Sequence, residues 1–364
     1  MRVCIFGTFD PRHHPRVITL EAGLRAAGFP TIRCNAPWDA PTHLRVASLR
    51  RPDILLLIGV RLVRAWIRLI AQRRRIGQVD VVIVGYLGLL DIHLARLLWR
   101  RSLLVLDHMA PAAGIIADRH ASKGLWARIA SALDRAATHR ADVVVVDTHE
   151  HVDPNDPRWL VVPVGASEPW FAARRSAEEG GHDLRVVFFG LFTPLQGSPT
   201  IAHALRTLLV DGCPLEVTMV GRGQDLMACR RIVGTHPAVR WIDWVDGRAL
   251  PRLVAAHDVC LGVFGTNPKA RRVVPNKVFQ GAASGCAIIT SDTPPQRRLL
   301  GEAALLVPPG DSEALADALR LLAGNRELLR RKRFEAASLA DRSFRPDAVT
   351  SPLCERLRAE FDCR

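Results

Sequence analysis

Four basic side chains, Lys269, Arg271, Arg272 and Lys277, fall within the single segment GTNPKARRVVPNKVFQGAASG (265–285). Pro275 suits the start of a helix and Asn276 suits its cap, which puts Lys277 in the first helical turn. A cation there opposes the helix dipole unless an anion lies beside it. The segment reads either as an anion site or as a solvated basic loop, and the helix start favours the anion site. Lys277 and Arg272 are the candidates to stabilise developing negative charge, with Lys269 and Asn276 beside them.

A second element lacks what the first supplies. In FFGLFTPLQG (188–197) an apolar run ends at Gly190, and Gly197 precedes a helical pattern. The loop contains no Lys or Arg, so Gln196 and the backbone offer only neutral hydrogen bonds to a phosphate. The positive partner would have to come from 269–277. MVGRGQDL sets Gly221 and Gly223 between a strand and a helix, which fits a phosphate or ribose contact as well as a plain turn. Gly7 in IFGTFDPR follows the first strand. Without a G-x-G-x-x-G pattern it reads as a tight turn that also permits close approach of a ligand. His108 closes LLVLDH, and His149 and His151 follow VVVVDT. A strand-end histidine either orients an acceptor hydroxyl or is an exposed loop residue. His257 and Asp258 read as structural. The sequence holds no Walker A, H-E-x-x-H, G-x-S-x-G or D-x-D motif, so no metal-ligand set is visible.

These residues need elements to position them, and two series of strand and helix patterns supply them. The first has apolar runs at 2–7, 53–60, 80–88, 102–108 and 142–148, with helical patterns such as 16–27 and 122–140 between. The second has runs at 184–190, 215–223, 239–245, 257–265, 285–292 and 303–311. Near-continuous Val/Ile/Leu runs are what strands buried on both faces look like, and their alternation with helices predicts parallel, doubly wound sheets. DSEALADALRLLAG has an Asp start and a Gly stop, and 351–361 reads as a last amphipathic helix. The predicted organisation is an N-terminal domain over 1–165, a linker over 166–183, a C-terminal domain over 184–342, and a C-terminal helical segment over 343–364 that could cross back to the first domain. Ligands of such sheets bind at the strands' C-terminal ends, here expected to face each other across a cleft.

Composition bounds the function. The chain has 364 residues, enough for two domains, and its eight cysteines form no C-x-x-C pair, which fits reduced thiols better than disulfides or zinc. The apolar part of the start, MRVCIFGTFDPRHHPR, is too short for a signal peptide, and no apolar run reaches roughly 18 residues. A cytoplasmic location is expected. The net charge of +14 admits nucleic acid, an anionic membrane or a phosphorylated ligand as partner. Nucleic acid is disfavoured because the charge is dispersed, with no aromatic-interleaved basic stripe. GVRLVRAWIRLIAQRRR puts Arg61, Arg64 and Arg68 on one helical face and Val63, Trp66, Ile67 and Ile70 toward the other. That helix either packs on the first sheet or lies peripherally on the inner face of the plasma membrane.

With these motifs placed, the chain resembles the GT-B glycosyltransferases of family 4 (bacterial group 1 type). The likeness rests on FG…PLQG, VGRG, LGVFG…KARRVVPNKVFQGAASGCAIIT and LLVPPGDSEALADAL, in that order. It is strongest over 186–311, clear at VVPVGASEPWF, and weaker in the first domain. The resemblance implies two Rossmann-like domains, the second binding a nucleotide sugar and the first an acceptor such as a glycan, lipid or small molecule. It implies hexosyl transfer with retention, without metal or resident cofactor, the leaving phosphate taking the acceptor's proton. The chain departs from the family pattern at Leu191 and Gln196, where the family has Arg and Lys, and at Arg272 and Gln280, where it has two glutamates. Arg298 stands where a glutamate is expected. The TPLQG and RVVPNKVFQ motifs resemble a branch in which the departures form a coordinated set. On that reading Lys277, Arg272 and helix amides hold the leaving diphosphate. Gln280 bonds ribose or sugar, Gly190, Gln196, Gly197, Gly221 and Gly223 shape the donor site, His108 assists catalysis, and Gly7 and His151 lie on the acceptor side. A catalytically silent nucleotide-sugar-binding protein and a nucleotide-sugar epimerase are the competing expectations.

Overall fold

The computed structural model describes residues 1–11, 14–37, 52–85, 88–109, 125–175 and 183–362, with only the backbone described for 52–55 and 125–127. The start of the helix expected at 122–140, residues 86–87 of the run at 80–88 and most of the second half of the expected linker lie outside them. The chain divides into two compact units, Met1–Pro163 with Val349–Arg364, and Val164–Ala348.

The first unit runs β1 (Val3–Gly7), α1 (Pro15–Ala26), β2 (Thr31–Asn35), α2 (Pro52–Ile76), β3 (Val81–Val84), α3 (Asp91–Leu98), β4 (Leu103–Asp107), α4 (Leu125–Arg140), β5 (Val143–Val146) and β6 (Trp159–Val161). Its parallel sheet has the order β2-β1-β3-β4-β5-β6, with Val3 opposite Thr31 on one side and Val81 on the other. Side chains of β1 alternate between two cores, as period-two geometry requires. Cys4 and Phe6 pack with Ala65, Leu69, Ile92 and Ala137. Val3 and Ile5 pack with Val17, Leu20 and Leu24 of α1 and with Leu353 and Leu357 near the C-terminus.

Two expectations fail here. The run at 53–60 is no strand but the start of α2, a helix of 25 residues. A short apolar run does not distinguish a buried strand from a helix, and here the pattern simply continues into the following helical segment. The strand place is taken by β2, whose TIRCN sequence is half exposed at the sheet edge and carries too much polarity to look like a strand.

The second unit runs α5 (Glu168–Ala172), β7 (Leu184–Phe189), α6 (Ser198–Val210), β8 (Leu215–Val220), α7 (Leu226–Val233), β9 (Val239–Ile242), α8 (Leu250–Ala255), β10 (Val259–Leu261), α9 (Asn276–Ala283), β11 (Ala287–Ser291), α10 (Pro294–Leu300), β12 (Ala304–Val307), α11 (Ser312–Gly324) and α12 (Arg326–Ser343). Then α13 (Pro346–Asp362) leads into the first unit. The parallel sheet has the order β12-β11-β10-β7-β8-β9. Asp311 caps α11 by accepting from the Ala314 amide at 2.9 Å, as its sequence predicts. His257 and Asp258 are structural, as expected. The imidazole bridges the Leu253 carbonyl and Thr218, and the carboxylate pairs with Arg185 and Arg333.

The order of each sheet fixes where a ligand should bind. The strands stay parallel, but the side on which new strands are added switches between β1 and β3 in the first sheet and between β7 and β10 in the second. The loops leaving these strand pairs are the switch points where doubly wound sheets hold ligands.

Candidate anion-binding site

Gly190 directly follows β7 at the second switch point with φ 142°, a left-handed-side conformation that suits glycine. The next requirement comes from space. A Cβ at Gly190 would lie 3.2 Å from the Lys277 Nζ, and one at Gly221 would lie 1.8 Å from the Gly190 carbonyl oxygen. Gly221 is therefore needed so that the loop after β8 can pack on the Gly190 turn. Gly197 and Gly223 are packed in the same way against the backbones of Phe264 and Phe192. These glycines shape the site by bringing loop to loop.

Lys277 occupies the first turn of α9 and is only 5% exposed. Its Nζ donates to the Gln196 Oε1 at 2.5 Å and lies 3.8 Å from the centroid of the Phe188 ring. Both partners are neutral, and among the described residues no carboxylate pairs with this ammonium. Burial pushes its pKa down from 10.5 to about 7. Burial also pushes the neighbouring Cys260 thiol up to about 12. A buried amine at a helix start, held by an amide oxygen and an aromatic face, makes this turn a candidate anion site.

The structure thus joins two of the sequence candidates across 81 residues of chain, Gln196 and Lys277. Gln280 is buried one helical turn beyond Lys277. Asn276 is not the cap of α9. Pro275 holds the cap position and no side chain caps the helix, because Asn276 already has helical backbone. Arg272 is exposed in the short 3-10 turn Ala270–Arg272, and Lys269 is half-buried just before it. Leu191 is 55% exposed, and Arg298 is exposed on α10. Phe188 escaped the sequence reading. Its only signal is an aromatic residue two positions before the turn glycine.

In the first unit, Gly7 ends β1 with φ 140°, and a Cβ there would lie 3.1 Å from the Asp91 Oδ2. Asp91 accepts from the Thr8 amide, the Thr8 hydroxyl and the Trp66 indole, each at 2.8 Å. His108 is buried after β4, 3.1 Å from Asp134, and its Nδ1 has no hydrogen-bond partner among the described residues. His151 lies 2.8 Å from Asp147. Neither is the exposed loop residue the sequence also allowed. Arg16 donates to Asp107 at 2.7 Å, where burial outweighs the guanidinium and raises the carboxyl pKa. Among the described residues Arg16 Nη2 and Asp107 Oδ2 are likewise without a hydrogen-bond partner. Partners as far apart in the chain as Thr8 and Asp91, or Arg16 and Asp107, leave no local pattern, so these carboxylates went unseen in the sequence. Among the described residues, no group of three His, Cys, Asp or Glu could hold a metal ion.

Comparison with known proteins bears on the second unit most. Residues 183–325 match the family of glycosyl transferases group 1. Over 172 residues the chain is 29% identical to the phosphatidyl-myo-inositol mannosyltransferase of Mycobacterium leprae. That match spans 46% of this chain and 44% of the mannosyltransferase, less than half of either. Solved structures extend the likeness to the whole chain. Sucrose-phosphate synthase from Thermosynechococcus elongatus superposes with a TM-score of 0.73 at 16% identity, covering 100% of this chain and 99% of that one. Anabaena HepE in complex with UDP and glucose gives 0.65 at 13% identity, covering 98% and 99%. The trehalose-6-phosphate structure from E. coli bound with UDP-2-fluoro glucose gives 0.68 at 13% identity, covering 98% of each chain. The chain has the GT-B fold, built from two Rossmann-like domains.

Proposed function

We propose that this chain is a glycosyltransferase that moves a sugar from a nucleotide-sugar donor to a hydroxyl acceptor. The observation that carries the reading is the buried Lys277 side chain, which among the described residues has neutral partners and sits beside the Gly190 turn at the second domain's switch point. The family match over 183–325 supports it, since that segment contains the whole site. The mannosyltransferase likeness and the UDP carried by similar folds make a nucleoside diphosphate the natural anion.

On this reading the diphosphate lies at the Gly190 turn with Lys277 as its counter-ion. Transfer leaves new charge on the diphosphate, and a preorganised cation with helix amides lowers that barrier. Lys277 and the α9 amides supply this, with Arg272 and Lys269 contributing from the flanking turn. Gln280 would bond the ribose or sugar. The departures at Leu191 and Gln196 then mark a branch of family 4 that takes its cation from α9. Reaction with retention and without metal is part of the same proposal, and the first domain would hold the acceptor, with His108, His151 and Gly7 on that side. The exposed Leu191 and Arg272 favour the rival reading of a silent nucleotide-sugar binder.

A panel of UDP-, GDP- and dTDP-sugars scored for slow donor hydrolysis separates the two. Hydrolysis of one donor, reduced by roughly 10²-fold or more in Lys277→Ala, is the expected result. Binding seen by thermal shift without hydrolysis or transfer would favour the silent binder. Near-normal turnover in Lys277→Ala would remove Lys277 from the reaction.

A further inference from the structure

The helix α2 is apolar on two opposite sides. Ala65 and Leu69 enter the first domain's core, at 3% and 0% exposed. At 3.6 residues per turn, Leu56, Val60, Val63 and Ile67 form one stripe half a turn away from those two. These four are 72%, 41%, 54% and 60% exposed. Of the apolar face the sequence set out, Val63 and Ile67 are on the outside, whereas Trp66 and Ile70 pack against the core. Arg64 and Arg68 run along the edge of the stripe and are exposed. Residues 44–76 contain nine arginines against a single acid, Asp53.

We infer that this stripe docks α2 flat on an anionic phospholipid surface. A narrow apolar strip edged by arginines matches the interface between acyl chains and headgroups, where the side chains insert shallowly and guanidinium groups meet phosphates. Charge of a single sign is complementary to an anionic lipid surface, whereas a protein partner would have to supply a matching acidic groove. The helix is long enough to span a bilayer. However, its six arginines forbid it, and no described helix is apolar enough to cross a membrane.

The test is co-sedimentation of the full chain with phosphatidylcholine vesicles and with vesicles of equal phosphatidylcholine and phosphatidylglycerol, without any sugar donor, so that it stands apart from the transferase reading. The chain is expected to sediment with the anionic vesicles only. Val60→Glu/Ile67→Glu should weaken the partition at least about tenfold, because two charges enter the apolar layer. Arg64→Gln/Arg68→Gln should weaken it by about fivefold for each charge removed. All four positions are exposed, so unchanged thermal melting is expected to show that the variants fold. Failure of the parent chain to sediment with the anionic vesicles, equal binding to neutral vesicles, or unchanged binding in either folded variant overturns the proposal. So does a concentration-dependent dimer that Val60→Glu/Ile67→Glu dissolves, which would assign the stripe to a second copy.

Discussion

The two domains solve the same backbone problem with opposite charges. At each switch point a glycine ends or directly follows the strand, at φ 140° for Gly7 and 142° for Gly190. In each, one ionic side chain from a following helix closes over the turn, 3.1 Å and 3.2 Å from where a Cβ would be. In the first domain that group is Asp91, which accepts three hydrogen bonds from its own domain. In the second it is Lys277, which meets one amide oxygen and a ring face. A satisfied carboxylate completes a fold, whereas a buried cation among neutral groups is held ready for something else. The contrast is why the second turn is the one we propose for the diphosphate, while the carboxylate over the first already has its partners.

Four experiments probe this contrast. Asp91→Ala leaves three donors stranded and should destabilise the chain by about 4 kcal/mol in urea unfolding. A change below about 1 kcal/mol would mean that Asp91 is not what holds the Gly7 turn. Lys277→Met should do the reverse, losing roughly 10²-fold in turnover while gaining about 2 kcal/mol of stability at pH 6. The sign follows from the lowered pKa. Charging Lys277 costs folding energy, the cost is complete below pH 7, and it fades as pH climbs from about 7 toward the unfolded value of 10.5. The gain in Lys277→Met should therefore shrink toward pH 10, and a gain that stays constant with pH would refute this account. Affinity for a nucleoside diphosphate should fall about tenfold from pH 7.5 to 8.5, where the phosphates are already ionised and only the lysine loses its proton. A flat profile in the parent protein, matching that of Lys277→Met, would show that the ammonium is not the counter-ion. Gln196→Ala should change turnover by only a few-fold, about 1 kcal/mol, since it removes one neutral hydrogen bond. A loss as large as that of Lys277→Ala would make Gln196 a principal ligand group.

The strands were legible wherever both faces are buried, because Val, Ile and Leu then fill consecutive positions, as in VVIV of β3 and VVVV of β5. The edge strand β2 was hidden by its half-solvated face, and the start of α2 passed for a strand because Leu56, Leu57 and Val60 are apolar although exposed. At the site, Lys277 and Gln196 were visible as a basic helix start and a phosphate turn without charge. Their meeting was an inference that the 2.5 Å contact now makes concrete. Phe188, Asp91 and the Arg16–Asp107 pair were invisible because their roles depend on neighbours the fold delivers from far along the chain.

The lowered pKa of Lys277 also makes ligand binding a reaction with the solvent. Near pH 8 most free molecules carry a neutral amine, and on the proposed reading an arriving diphosphate would draw a proton onto it from the buffer. The heat released will then depend on which buffer surrenders that proton. Titration calorimetry in phosphate and in Tris at the same pH should give different enthalpies, and the difference counts the protons taken up.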